Sequence, residues 1–209
     1  MKKYVPHIAR IVAASLLLSL GIVVPVSAYM VKYKEDFYRL YHIHYQQYPD
    51  DCIENIYWLE KAVRADFCNP LYAGLKIETK KEWEKYRYLF QMHLNLKLIE
   101  QHLRLGRTYD KKVAHFYDAP WKDEYMRDLE KALSCYTAGL YYWKEAQLWA
   151  EKANAVSFDF LFIVERQFWE DERERIKNGS LDYGKMLSRE IARVQKVRDD
   201  FLAMDTKSY

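Results

Sequence analysis

Two histidines separated by one residue form the part of this sequence that comes closest to a metal-binding pattern. His42 and His44 are followed by Asp50, Asp51 and Cys52, which are also metal-ligand types. In an extended segment both imidazoles would lie on one side of the backbone, whereas on a helix they would point about 200° apart. We therefore expect these residues to pack or to face solvent, and we expect no metal ion or cofactor. A metalloprotein centred on His42 and His44 is an alternative, and it would contain metal when purified.

Acidic residues occur in two runs, 170–172 and 199–200, which could supply paired carboxylates for acid–base chemistry. Basic side chains lie at helical spacing from both runs, among them Arg166, Arg173 and Lys196. This arrangement is typical of solvated helix faces with modest ion pairs. We therefore expect both runs to face solvent.

The sequence contains no catalytic motif that we can recognise. It has no Glu-x-x-His pair for a carboxylate-bridged metal site, no glycine-rich phosphate loop and no nucleophile elbow. His93 and His102 are nine positions apart on one predicted helix, so they lie on nearly opposite faces and cannot share a ligand. We predict that the protein is not an enzyme.

Aromatic side chains are numerous in this sequence and could form a surface that binds a partner. The chain has 6 Trp, 19 Tyr and 9 Phe. Many of them must line the core, and packing of a thick core is the alternative explanation for the rest. Tyr and Trp are also enriched at protein interfaces, where they give large contact areas at low entropic cost. The predicted partner-binding residues are Tyr38, Tyr41, Tyr117, Trp121, Tyr125, Tyr142 and Trp149.

The elements that position these residues are predicted to be helices. Only 6 Gly and 5 Pro interrupt the chain, and most of them fall where helices end. Apolar residues recur every three or four positions and indicate an all-α fold of six to seven helices, packed as antiparallel pairs in a short solenoid or an irregular bundle. Predicted helices cover 51–66, 80–105 with Gly106 as the C-terminal cap, 121–156 with a kink near Gly139, 158–177 and 182–203. Residues 71–77 and the loop after Tyr109 could add short helical pieces.

The first 28 residues have the composition of an export signal. Lys2, Lys3 and Arg10 precede the uncharged apolar run 11–24, and small residues at the end of 25–28 fit signal peptidase cleavage after Ala28. An uncleaved anchor is the alternative, and in both cases the body crosses the membrane. We divide the chain into a signal peptide or anchor at 1–28, a Tyr-rich segment at 29–50, which could fold onto the body or tether it, and a helical domain at 51–205. The predicted location is the periplasm or the periplasmic side of the inner membrane.

Charge and cysteine content narrow the function further. Three of the 33 basic residues lie in the export signal, which leaves 30 against 30 acidic residues in a neutral body. A neutral body gives no electrostatic reason to bind nucleic acid.

Cys52, Cys68 and Cys135 are predicted to be buried apolar residues, and one disulfide with one free thiol is the alternative.

Several fragments carry a family resemblance. Residues 58–66 and 69–73 resemble the second helix and closing turn of a tetratricopeptide repeat, and 129–133 and 150–153 repeat the same Glu-Lys-Ala phrase. The aromatic-rich helices after an export signal are also similar to helical periplasmic proteins of spirochaetes, including tetratricopeptide-type components of the periplasmic flagellar collar. The resemblance implies antiparallel helix pairs and a role in binding other proteins.

The combined prediction is a non-catalytic periplasmic scaffold or adaptor that mediates protein–protein interaction in an envelope or motility assembly. Its partners would be other envelope or periplasmic proteins, it would contact the membrane only through its N-terminal segment, and it could form oligomers. The alternative is a helical periplasmic protein that binds a small ligand or a lipid between its helices.

Overall fold

The computed structural model describes residues 30–73, 77–111, 121–160 and 164–203. The export signal predicted for 1–28 lies outside these residues, as does Tyr117. Lys32–Tyr209 form one compact unit. No helix within the described ranges combines the length and apolar composition that crossing a bilayer requires.

The fold is all-α, as predicted, with six α-helices and no strand among the described residues. A short 3₁₀ turn at Pro70–Tyr72 lies between the second and third helices. The helices are α1 Lys34–Gln47, α2 Cys52–Arg64, α3 Lys80–Asp110, α4 Lys122–Asn154, α5 Val164–Lys177 and α6 Tyr183–Ala203.

Local sequence signals explain where several helices begin and end. Asp51 caps α2, because its Oδ1 accepts a hydrogen bond from the Glu54 amide at 3.1 Å. Thr79 caps α3 in the same way, with its hydroxyl oxygen 3.2 Å from the Glu82 amide nitrogen. Gly179 follows α5 with φ of 75°, the left-handed conformation that glycine adopts at little cost.

The Tyr-rich segment folds onto the body through a buried lysine. Lys34, in the first turn of α1, donates from Nζ to the carbonyl oxygens of Ala62 and Val63 at 2.7 Å each. The ammonium group thus satisfies free carbonyls at the end of α2. Burial lowers the pKa of Lys34 from 10.5 to about 8. This contact makes α1 part of the packed domain rather than a tether.

Helices α3 and α4 form the centre of the fold and share its largest interface. Leu94, Leu98 and Ile99 of α3 are fully buried. On α4, small side chains at Ala146 and Ala150 are also buried. Small residues let two helix backbones approach closely, so these alanines suit the close pairing of α3 and α4.

Two predicted helix boundaries were wrong. Helix α3 does not stop before Gly106 but continues to Asp110, and Gly106 is buried within it against the ring of Tyr136. Residues 158–160 are not helical, and in the described part of the chain α5 begins at Val164. The apolar pattern could not show the first difference, because it depends on the contact of Gly106 with Tyr136 of another helix. At Gly139, where a kink was predicted, α4 continues as one uninterrupted helix.

All three cysteines are free and buried in the structure. Burial raises the pKa of Cys68 to about 12 and that of Cys135 to about 11. Their thiols therefore stay protonated and unreactive at neutral pH. This arrangement agrees with the predicted role of small apolar residues.

Buried tyrosines predict a loss of stability at alkaline pH. Burial raises the pKa of Tyr86 and Tyr136 well above the ordinary value. Above pH about 10 the unfolded chain ionises while the folded chain holds these phenols neutral, so the free energy of unfolding falls, by up to about 1.4 kcal/mol per pH unit for each group. The buried thiols add to this fall. We expect urea denaturation between pH 9 and 12 to show it.

Lys34 acts in the opposite direction and over a lower range. Between pH about 8 and 10.5 the unfolded chain binds the proton that folded Lys34 has lost, so this group alone makes stability rise with pH. Its contribution is constant above 10.5 and cannot cause the later fall. Tyr136→Phe should make the fall shallower, whereas equal stability at pH 10.5 and 12 in the unsubstituted protein would contradict the prediction.

Candidate binding cleft

An apolar-walled opening with a volume of about 610 Å³ lies between α1, α3 and α5. Its α1 wall repeats every three or four residues, which places four side chains on one helical face. We call this opening the aromatic cleft. It is lined by Glu35, Tyr38, Arg39, His42, His93, Lys97, Phe168 and Trp169.

The walls of the aromatic cleft are held by ring packing. Trp169 is buried and stacks on Phe90, with ring centroids 5.1 Å apart and planes at 11°. Tyr38 meets the same Phe90 ring edge-on at 5.0 Å. Phe168 is 49% exposed at the rim. The cleft therefore has a fixed aromatic wall and one aromatic ring that is open to solvent.

A chain of hydrogen bonds runs from the protein interior to the cleft wall. His93 Nδ1 lies 2.7 Å from Glu172 Oε2, and its Nε2 lies 2.6 Å from the Tyr38 hydroxyl. His93 is 2% exposed and Glu172 is 5% exposed. A carboxylate on one ring nitrogen fixes the orientation of an imidazole. The chain thus holds the Tyr38 hydroxyl in one position inside an apolar wall.

The lining of the cleft carries two cations, Arg39 and Lys97, and one carboxylate, Glu35. Arg39 and His42 are exposed, and Arg39 makes no ion pair within the described residues. The acidic Glu35 is already occupied, since it accepts hydrogen bonds from the Cys68 amide and the Tyr86 hydroxyl. Lys97 is paired with Glu100 at 2.9 Å. An incoming negative charge would therefore meet Arg39 first.

The two histidines of the sequence pattern face different neighbours. His42 lines the cleft, whereas His44 Nδ1 lies 3.0 Å from Asn55 Oδ1. Asp51 Oδ2 lies 3.9 Å from His44 Nε2. In the described part of the chain, no group of three or more His, Cys, Asp or Glu side chains is arranged to hold a metal ion.

The aromatic residues that were predicted to bind a partner and that the structure describes lie in different surroundings. Tyr38 lies in the cleft, but Tyr41 is 2% exposed and is a core residue with no surface for a partner. Trp121 precedes α4 and is 53% exposed, while Tyr125 packs edge-on against Phe201 at 6.0 Å.

The last two predicted residues lie on α4, outside the cleft lining. Tyr142 stacks on His102 at 5.5 Å and donates a hydrogen bond to Glu60. Trp149 packs against Tyr88 and carries the ammonium group of Lys152 over its ring at 3.9 Å. A partner-binding role for the exposed rings stays a prediction.

One of the two acidic runs was misjudged from the sequence. Asp199 and Asp200 are exposed as expected, but Glu170 and Glu172 are buried. Helix α5 packs against both α3 and α4, so two of its faces are covered. On α3, Lys85 Nζ lies 3.4 Å from Glu170 Oε1. His93, on the same helix, is the partner of Glu172. The pattern of the run alone could not identify partners about 80 residues away in the chain.

The aromatic cleft combines residues inside and outside a recognised sequence family. No curated protein and no solved structure matches the chain. The α1 wall precedes the matched region, whereas His93, Phe168 and Trp169 lie within it. Residues 81–204 match the family described as Domain of unknown function (DUF8513), and the chain belongs to this family.

Proposed function

We propose that the protein is a non-catalytic scaffold or adaptor that binds another envelope protein through the aromatic cleft. The observation that carries this proposal is the open, aromatic-walled cleft with Arg39 at its mouth, a cation that forms no ion pair among the described residues. Arg39, His42 and Phe168 are exposed on its lining, so the cleft can be reached by a side chain that projects from a partner. Interfaces place their strongest contacts in such aromatic pockets.

The expected occupant is a partner segment with a large apolar side chain next to an aspartate or glutamate. The apolar side chain would pack on Trp169 and Phe168. The carboxylate would pair with Arg39, which has no other ion-pair partner among the described residues. Electrostatic complementarity of this kind sets the orientation of a bound segment and rejects partners with the wrong charge.

The location of this activity follows from the N-terminal sequence and the resemblance. A basic start, an apolar run and a cleavage pattern in 1–28 support export. Paired helices with buried alanines support a tetratricopeptide-like protein-binding role. An envelope or motility assembly such as the spirochaete flagellar collar is the setting that the resemblance suggests.

A helical small-ligand or lipid-binding protein is the second candidate. The volume of about 610 Å³ falls within the range of small-molecule sites, and the walls are mostly apolar with a few fixed polar groups. The exposed rim favours a partner segment, because a carrier that protects a lipid from water usually encloses it.

The test places the photo-crosslinking residue p-benzoylphenylalanine at position 168 in the full-length protein in its native envelope. We expect one crosslinked protein at stoichiometric yield, with the crosslinked segment carrying a large apolar residue beside Asp or Glu. Phe168→Ala with Arg39→Glu should weaken the complex about thirtyfold or more, since the variant loses both the ring on which the apolar side chain packs and the cation that pairs with the carboxylate, at a combined cost of about 2 kcal/mol.

The matched control is Leu202→Ala with Arg127→Glu, which changes an exposed apolar residue and an exposed cation outside the cleft. This variant should bind the partner like the unsubstituted protein. A cleft variant that retains full binding would overturn the proposal. A monomer that carries a small molecule, lost from the cleft variant, would support the second candidate instead.

A further inference from the structure

A second, smaller pocket lies between α2, α3 and α4 and shares no lining residue with the aromatic cleft. Its volume is about 150 Å³. A cavity of about this size holds one molecule as large as benzene. We call it the polar pocket, and it is lined by Glu60, Val63, Arg64, Asn95, Tyr141, Tyr142 and Glu145.

The most informative residue of the polar pocket is Asn95. It is 1% exposed, and its Nδ2 donates to the Gln91 carbonyl oxygen at 2.7 Å, which identifies the other amide atom as Oδ1. Oδ1 has no hydrogen-bond partner among the described residues. A buried acceptor without a donor is costly, so a group with an N–H or O–H bond is expected to face it.

Two carboxylates add negative charge around this acceptor. Glu60 accepts hydrogen bonds from Tyr142 at 3.0 Å and from Arg64 at 2.9 Å. Glu145 is half-buried and forms no ion pair within the described part of the chain. The pocket therefore offers hydrogen-bond acceptors and the Glu145 carboxylate, which no cation neutralises among the described residues. The guanidinium group of Arg64 is already bound to Glu60.

Aromatic rings complete the wall. Tyr141 and Tyr142 meet edge to face with centroids 5.2 Å apart, and Tyr141 is 60% exposed at the mouth. Aromatic faces attract cations. His102 stacks on Tyr142, and burial lowers the pKa of its imidazole, so the ring stays neutral at pH 7 and does not repel a cation.

We propose that the polar pocket binds a primary ammonium group. An ammonium group has three N–H donors and no acceptor, which matches Asn95 Oδ1, the Glu145 carboxylate and the Glu60 carboxylate. The group belongs either to a small free amine or to a lysine side chain of a partner protein. A chain of about four carbons fits beside the tyrosine rings.

The test compares n-butylammonium with n-butanol, which has the same length and no charge, by NMR titration of the purified protein at pH 7. We expect butylammonium to bind at least tenfold more tightly. Asn95→Leu should reduce its affinity about tenfold or more, because the acceptor is lost. Glu145→Gln, which changes a partly exposed residue and leaves the core intact, should reduce it several-fold. Glu130→Gln is the control, since Glu130 is exposed on the same helix outside the pocket.

Equal binding of butanol, or no saturable binding of butylammonium, would mean that the pocket holds only water and would overturn the proposal. Unchanged affinity in both Asn95→Leu and Glu145→Gln would also overturn it. A lysine-containing peptide that binds more tightly than butylammonium would support a partner lysine as the source. Tighter binding of butylammonium would support a free amine.

Discussion

Replacing His93 with leucine is expected to lower the free energy of unfolding by about 3–5 kcal/mol. His93 is the hydrogen-bonding partner of Glu172 at 2.7 Å, and both side chains are almost fully buried. Leucine fills part of the space but leaves a buried carboxylate without its donor. Removing one partner of a buried pair is costly, because the other keeps its desolvation penalty. Urea denaturation at pH 7 measures the loss.

The double variant His93→Leu with Glu172→Leu separates this cause from simple loss of packing. When both polar partners are replaced by apolar groups of similar volume, most of the loss should be recovered. Tyr38→Phe is the milder control, because it removes only the hydroxyl at the cleft end of the chain and should cost about 1 kcal/mol. A double variant as unstable as His93→Leu would show that the histidine matters for its shape alone.

The hydrogen bonds from Glu172 through His93 to Tyr38 connect stability with the proposed binding function. His93 and Tyr38 both line the aromatic cleft, and Glu172 holds His93 from behind. A change at Glu172 is therefore expected to alter the cleft although Glu172 is not part of its lining. The fold buries polar groups at this place, although apolar side chains would be buried there at a lower desolvation cost.

Helices were predictable where the signal is local. Asp51 caps α2 through its own side chain, and Gly179 ends the predicted 158–177 helix in the left-handed conformation. The repeat of apolar residues every three or four positions needs no information from distant parts of the chain. This local origin is why the all-α class and most helix boundaries could be inferred.

The candidate site was much less predictable, because it depends on pairs that are far apart in sequence. Glu172 looked like part of a solvated run, and only the packing of α5 against α3 brings it to His93. Tyr38 and Tyr41 looked equivalent in the sequence, yet Tyr38 lines the cleft and Tyr41 is buried. Composition indicated that aromatic residues are important without indicating which of them line a binding site.

Gly106→Ala is expected to destabilise the protein by about 2–3 kcal/mol, although alanine normally favours a helix over glycine by about 1 kcal/mol. A Cβ atom at Gly106 would lie 2.5 Å from Cε1 and 2.8 Å from Cζ of Tyr136. The Tyr136 ring is fully buried, and its hydroxyl donates to Asp110, so it cannot turn away. Overpacking against a fixed ring therefore outweighs the gain in helix propensity. Thermal and urea denaturation both measure the change.

Gly139→Ala is the matched control, because Gly139 is also a buried glycine in the middle of a long helix. Its added Cβ would meet the terminal methyl carbons of Leu187, at 2.9 and 3.3 Å, which can move by rotating a flexible side chain. We expect this variant to lie within about 1 kcal/mol of the unsubstituted protein, as the helix-propensity gain offsets the small displacement. If Gly106→Ala were equally stable, the close approach of α3 to Tyr136 would not be what selects glycine there. If only Gly106→Ala is destabilised, Gly106 is a helix-packing residue. The sequence suggested a helix cap instead, because Gly106 precedes a predicted loop.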